Sequence, residues 1–344
     1  MAAGHGNRPD TGEYFNHVLP NLIIGPGAPF TKGAVFQVPW NTIEPEKNVF
    51  DFTTPDRWCD EWTSHGKQCA LAFEATWFLS NKSFTPDWYS SANLMYGNPC
   101  LGQQPMIPVF WDQNFKSAWK AVVKAAIQHY GSNPNVAYLR FGFGVGDENH
   151  PNQGIGSSQC SSLMASLGYS TTVWTGYLKE MSDYVHSLNS SNQVNFALNF
   201  PNNSQPNVST VNQNAANAAA DGLTLDNHGF TVQDVVDFTS GATCHAGFCT
   251  IFPIYRGVVP LALQPSNTTD PTGAGTVGSA TALIPFALNL GIQTLEIYSH
   301  DWLCTYDSSW VGSGNNTFRK CQNAGYPATF SSGAGALNGK TVSR

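Results

Sequence analysis

The chain has 344 residues, enough for one large α/β domain or two modest ones, and 41% of them are hydrophobic, so a sizeable core can be buried. Only 11% are charged, against roughly a quarter in ordinary globular chains, so Ser, Thr, Asn, Gln and Gly must cover the surface. A net charge of −7 and a pI near 5.6 leave no basic stripe to neutralise phosphates, which argues against a nucleic-acid partner, and no apolar run is long enough to span a bilayer.

After a polar lead-in over residues 1–18, Leu22-Ile-Ile24 reads as a brief first strand closed by Gly25-Pro26-Gly27. Ala34 to Trp40 is a better strand. Thr54-Pro55-Asp56 then combines a cap, a proline in the first turn and an early acid, which predicts a helix that carries Trp58 and Trp62 and stops at Gly66. Cys69 to Phe73 reads as a buried strand ending at Glu74. Residues 75–112 form a long irregular segment with Trp77, Trp88 and Trp111, and loops of that length are usually functional. Phe115, Ala118, Trp119, Val122, Val123, Ala126, Ile127 and Tyr130 recur at helical spacing, as do Val173, Trp174, Tyr177, Leu178, Met181, Tyr184 and Val185.

Between these two helices, Val136 to Phe141 is an apolar strand that breaks into glycines and ends in Asp147, Glu148, Asn149 and His150, followed by a loop containing Cys160. Val194 to Leu198 predicts a further strand. An Ala/Asn-rich helix near 208–220 leads into Leu223 to Leu225, with Asp226, Asn227 and His228 at its end. Phe248 to Phe252 is weakly strand-like, and Val258 to Gln264 more clearly so. A Gly/Thr/Pro linker over 265–275 precedes a helix from Val277 to Leu290 that Gly291 terminates. The last strand, Gln293 to Tyr298, opens onto Ser299, His300, Asp301 and Trp302. Strand and helix alternate throughout with no short repeat, and the economical architecture is a single (β/α)8 barrel with long βα loops over residues 19–335, with 336–344 as a tail.

The eight cysteines form no C-x-x-C zinc pattern, so disulfides are expected; eight cysteines allow 105 connectivities, among which Cys244–Cys249 and Cys304–Cys321 are the attractive local pairs. Sequons stand at Asn81, Asn189, Asn202, Asn207, Asn267 and Asn315. Both features suit a secreted glycoprotein, although the N-terminus lacks the apolar core of a signal peptide.

In a barrel, polar residues at strand C-termini face the active-site mouth. The predicted strand ends place Glu44, Glu74, Glu148, Asp226, Glu296 and Asp301 there, beside Trp40, Trp77, Trp88, Trp111, Tyr298 and Trp302. Paired carboxylates with flat aromatic faces are what hydrolysis of a sugar chain requires: one acid protonates the leaving oxygen, and another attacks the anomeric carbon or activates water. Each candidate has a plainer role open to it. Asp147 and Asn149 can serve as turn or cap residues, Glu296 as a core carboxylate, Glu44 as the holder of Arg140, and the aromatics as core. No G-x-S-x-G elbow, dinucleotide fingerprint or P-loop is present, and His150, His228 and His300 lack a metal-ligand spacing; no cofactor or metal is expected.

Trp40-Asn-Thr-Ile-Glu-Pro45 followed by Phe50-Asp-Phe52 and Gly66-Lys67 resembles the second-strand region of retaining (β/α)8 glycosidases of the β-galactosidase and cellulase-like clan. The predicted helix ending at Tyr130-Gly131, the Asn/Pro turn and the strand from Val136 resemble the approach to that clan's acid/base. The resemblance covers residues 20–150, with the rest alike only in general layout, and implies a glycoside hydrolase acting on a poly- or oligosaccharide; a monomer is expected. By the same resemblance Glu148 is the general acid/base. The clan's asparagine precedes its acid/base, whereas here Asp147 precedes Glu148 and Asn149 follows it. The clan's nucleophile ends the seventh strand, where this chain offers Gln264; Glu296, on the eighth, is the candidate nucleophile. Trp40, Asn41, Glu44, Glu74, Trp77, Trp111, Asn149, His150, Asp226, His228, Gln264, Tyr298, Asp301 and Trp302 are the expected substrate contacts. A barrel that binds carbohydrate without cleaving it is the alternative.

Overall fold

The computed structural model describes residues 2–4, 32–76, 84–93, 95–97, 106–151, 158–188, 193–199, 208–244, 247–266 and 277–298. The chain has an α/β fold built on parallel strands: β1 (Ala2–Gly4), β2 (Gly33–Pro39), β3 (Gln68–Glu74), β6 (Val136–Phe141), β7 (Gln193–Ala197), β8 (Thr224–Phe230), β9 (Leu261–Pro265) and β10 (Thr294–Tyr298). A small antiparallel pair, β4 (Met95–Gly97) and β5 (Met106–Pro108), lies within the segment predicted to be irregular. The expected strand at Leu22–Ile24 and the Cys304–Cys321 pair fall outside the described residues.

Two compact units share these elements. One comprises 1–35, 61–69 and 226–344; the other comprises 36–60 and 70–225. In the first the strands run β1-β10-β9-β8, with Ala2 paired to Glu296 and Thr294 to Ala262 in parallel register. In the second they run β7-β6-β3-β2, with Leu139 paired in parallel to Val194.

The helices form where apolar periodicity and caps agree. Asp112 caps the helix Gln113–Tyr130 by accepting from the Asn114 N–H, and Phe115, Trp119, Val122, Val123, Ala126, Ile127 and Tyr130 make up its buried face. Ser170 caps the helix Thr171–Ser187, which buries Trp174, Tyr177, Leu178, Met181 and Val185. Val173, expected on that face, is instead 40% exposed. Glu180 joins the two helices through Lys116 at 2.8 Å and Lys120 at 2.6 Å. No described helix is long and apolar enough to cross a membrane.

Four expectations change. Phe248–Tyr255 is a helix, not a strand: its mostly apolar run fits either, and the helix buries Phe248, Cys249, Ile251 and Phe252. The segment containing Cys160 is helical over Ser158–Ser166. A further helix, Val232–Ser240, starts with a capping box between Thr231 and Asp234. Asp226, Asn227 and His228 lie inside β8, not at its end. The Cys244–Cys249 disulfide is formed as expected, and Cys59 and Cys69 are also disulfide-bonded.

Trp40, Tyr89, Phe115 and Trp119 form an aromatic knot, with Trp40 ring centroids 5.1 to 6.0 Å from the other three. Trp119 is fully buried in it. Replacing Trp119 with Ala should cost about 3–5 kcal/mol of unfolding free energy in urea titrations.

Candidate active site

The stretch after β6 turns sharply because glycines let backbone approach backbone. Gly142 N–H donates to Phe73 O at 2.9 Å and Gly146 N–H to Thr76 O at 3.1 Å, which ties the loop to the end of β3. Gly144 N–H donates to Glu148 O at 3.0 Å and Val145 N–H to His150 O at 2.9 Å, so the loop folds back on its own acidic end. A Cβ on Gly144 would stand 2.0 Å from His150 O, and one on Gly142 would stand 2.0 Å from Gly146 O. Only glycine permits this packing.

That turn sets three consecutive side chains. Asp147, 2% exposed, reaches Arg140 on β6, with Oδ2 3.0 Å from Nε. Asn149 donates from Nδ2 to Ala197 O on β7 at 2.7 Å, and its Oδ1 accepts from Phe143 N–H at 3.3 Å. Glu148 lies between them. Its Oε2 accepts from Asn199 Nδ2 at 2.9 Å and lies 2.9 Å from His150 Nε2. The Glu148 side chain retains 15% exposure while Asp147, Asn149 and Asn199 are buried, so this carboxylate alone in the tripeptide reaches outward. Asn199, two residues past the end of β7, is a site residue that the sequence reading missed.

Other predicted residues of this unit divide sharply. Glu74 ends β3 and is fully buried. Trp40 is fully buried in the aromatic knot and offers no open ring face to a sugar. Its Nε1 donates to Glu44 Oε2 at 2.7 Å, while Glu44 Oε1 accepts from Asn48 N–H at 2.7 Å, so both carboxylate oxygens are engaged within one turn of chain. Asn41 is exposed and donates its backbone N–H to Phe84 O. Trp111 is half-buried, with Nε1 donating to Leu167 O at 2.8 Å and its ring beside Tyr169.

The other unit carries a second buried polar set. Asp226 and His228 alternate along β8 and meet at 3.1 Å between Oδ2 and Nε2. Leu295 pairs with Leu263, which puts the next residues, Glu296 and Gln264, at one level on β10 and β9. Ser266 N–H donates to Phe230 O, aligning the end of β9 with that of β8. Glu296 is fully buried and Gln264 4% exposed. The side chain of Tyr298 and the whole of Trp77, Asp301 and Trp302 lie outside the described residues.

Two outcomes follow from this geometry. Gly144→Ala should destabilise the fold by about 1–3 kcal/mol in thermal or urea unfolding, because backbone must move to admit the methyl group. Burial raises the Glu44 carboxyl above its ordinary value of 4.5, against the opposing pull of the Trp40 and Asn48 hydrogen bonds. A carboxyl raised in the folded state contributes stability below its unfolded value and loses it as pH rises through the folded one. The stability of the wild type relative to Glu44→Gln should therefore fall as pH rises from the ordinary carboxylate range towards neutrality, read from paired unfolding midpoints.

No protein-family model and no curated protein matches the sequence. Solved structures do match. A β-galactosidase from the haloarchaeon Halorubrum lacusprofundi aligns at a TM-score of 0.57 and 13% identity, over 99% of this chain and 59% of that one. A β-galactosidase from Marinomonas ef1 aligns at 0.54 and 11%, over 98% of this chain and 60% of that one. A family 10 endo-β-1,4-xylanase from Gloeophyllum trabeum aligns at 0.51 and 12%, over 86% and 83%. The chain thus spans about 60% of the length of the two β-galactosidases. At these identities the likeness is one of fold, and it is to the fold of (β/α)8 glycoside hydrolases.

Proposed function

We propose that the chain is a secreted glycoside hydrolase that cleaves O-glycosidic bonds of an oligo- or polysaccharide on a closed (β/α)8 barrel with long βα loops. Glu148 is its general acid/base and Glu296 its nucleophile. The observation that carries this reading is the placement of Glu148, held at the exit of a parallel strand by a glycine turn, with Oε2 accepting from Asn199 and the side chain partly open. The fold likeness to β-galactosidases and a xylanase supports the substrate class. The disulfides support an oxidising compartment.

In the proposed reaction Glu148 donates its proton to the leaving glycosidic oxygen while the Glu296 carboxylate attacks the anomeric carbon. Water activated by Glu148 then hydrolyses the glycosyl ester, with net retention. Asp226, His228 and Gln264 are assigned to sugar hydroxyls. The chemistry needs no cofactor. The binding-only alternative draws on one observation: Glu296 lies within β10, while the residue near the tip of β9 is Gln264, an amide.

The decisive experiment incubates the protein with a polysaccharide and aryl-glycoside panel and follows the first-formed anomer by proton NMR. Release of reducing ends with retained configuration is expected, and Glu148→Gln should slow cleavage about 10²–10⁴-fold on substrates with unactivated leaving groups. An inert wild type whose tryptophan fluorescence is nonetheless quenched by a sugar would replace catalysis with binding. An inverted first product would reject the nucleophile role of Glu296.

A further inference from the structure

The aromatic knot around Trp40 has one neighbour that reaches solvent. Trp40, Tyr89, Phe115 and Trp119 are buried, while Trp88, on the short helix Asp87–Ser90, is half-buried. Its ring stands nearly perpendicular to two of them, at 89° and 5.6 Å from Trp40 and at 82° and 5.8 Å from Tyr89. Its Nε1 donates to Glu44 O at 3.0 Å. The polar atom of the indole is thus engaged inward, and the surface that the ring turns outward is carbon. Apolar surface on a ring held at a fixed angle is unfavourable in water, and a rigid tryptophan gives contact area at little cost in entropy.

The segment that bears Trp88 is fastened to the same strand exit as the Glu148 loop. Thr85 Oγ1 donates to Ala75 O at 3.0 Å, and Gly146 N–H donates to Thr76 O, the next carbonyl along. From that shared point the two side chains lie in opposite directions round the rim, in a unit whose strands run β7-β6-β3-β2. Glu148 is held towards β7 through Asn199. Trp88 is held past the end of β2, through Glu44 O and through the Asn41 N–H on Phe84 O at 2.8 Å. With adjacent strands about 4.8 Å apart, two to three spacings, roughly 10–15 Å, separate them. That span is longer than one sugar ring and suits a unit further along a chain.

We propose that Trp88 is a stacking platform for a sugar unit outside the bond being cleaved, so that the site grips a chain and selects oligosaccharides over simple glycosides. The inference rests on Glu148 being the acid/base. The C–H face of the sugar covers the indole carbons while its hydroxyls, at the ring edge, stay in water. Binding energy from a unit remote from the reacting bond serves only substrates long enough to reach it. Its loss therefore falls on long substrates and spares short ones, whereas a purely structural role for Trp88 would weaken both alike.

The test compares kcat/KM on β-1,4-linked hexasaccharides of galactose, glucose, mannose and xylose with that on the matching 4-nitrophenyl β-glycosides. Trp88→Leu keeps apolar bulk and loses the flat face; Trp88→Tyr keeps a flat face and loses the donor to Glu44 O. Trp88→Leu should lose about tenfold or more on the cleaved hexasaccharide and less than about threefold on its nitrophenyl glycoside, with Trp88→Tyr recovering most of the loss. Equal losses on both lengths, or no loss on either, would overturn the inference.

A second measurement needs neither turnover nor a change at Trp88. Oxidation of exposed tryptophans by N-bromosuccinimide, mapped by peptide mass in Glu148→Gln, should be slowed at Trp88 by at least one of the four hexasaccharides. Unslowed oxidation with all four would overturn the platform, even where the Trp88 variants fail to fold. If the wild type cleaves no glycan of the panel, the hydrolase reading fails instead, and protection of Trp88 in the wild type alone upholds or overturns the platform.

Discussion

The buried ion pair between Arg140 and Asp147 determines where the Glu148 carboxylate stands. Two charges taken out of water cost several kcal/mol each unless they find one another, and removing either partner would leave the other stranded. The pair therefore fixes the backbone at Asp147 relative to β6, and Glu148 is the next residue. Asn149, one further on, is fixed to β7 through Ala197. A tripeptide held at both ends to neighbouring parallel strands has little freedom in between, and the middle side chain is aimed by its neighbours. The glycines before it are the steric condition for this arrangement, since a methyl group at Gly144 would collide with His150 O.

Much of this was legible in the residues. The helices Gln113–Tyr130 and Thr171–Ser187 carry long periodic faces with polar caps, and local pattern and tertiary burial agree there. Phe248–Tyr255 was misread because eight mostly apolar residues have no period to reveal. β8 was read too short because Asp226, Asn227 and His228 look like a polar turn; they are buried strand residues, with Asp226 and His228 on one face and Asn227 on the other, a context hydropathy alone cannot signal. Trp40 sits in a motif that suggests a rim aromatic, yet Tyr89, Phe115 and Trp119 enclose it.

Asn199 was overlooked for a chemical reason. Acids and aromatics at strand ends stand out as groups that react or stack, and an amide that only hydrogen-bonds one of those acids does not. The strand Val194 to Leu198 was recognised, and the residue that follows it was the one to examine. Glu44 shows the converse. It reads as a rim carboxylate, but Trp40 and Asn48 take both its oxygens, so its acidity serves the shape of a turn.

The pairing of β1 with β10 sets a condition on how the molecule is made. Ala2 finds Glu296 as its partner, so a strand must wait for another that lies far along the sequence. Contacts so far apart in sequence form late, because the intervening chain must be ordered before they can be held. Until β10 forms, the edge of β1 opposite its pairing with Gly33 and the edge of β9 that receives Thr294 are both unmatched. Open strand edges of this kind invite pairing with other chains.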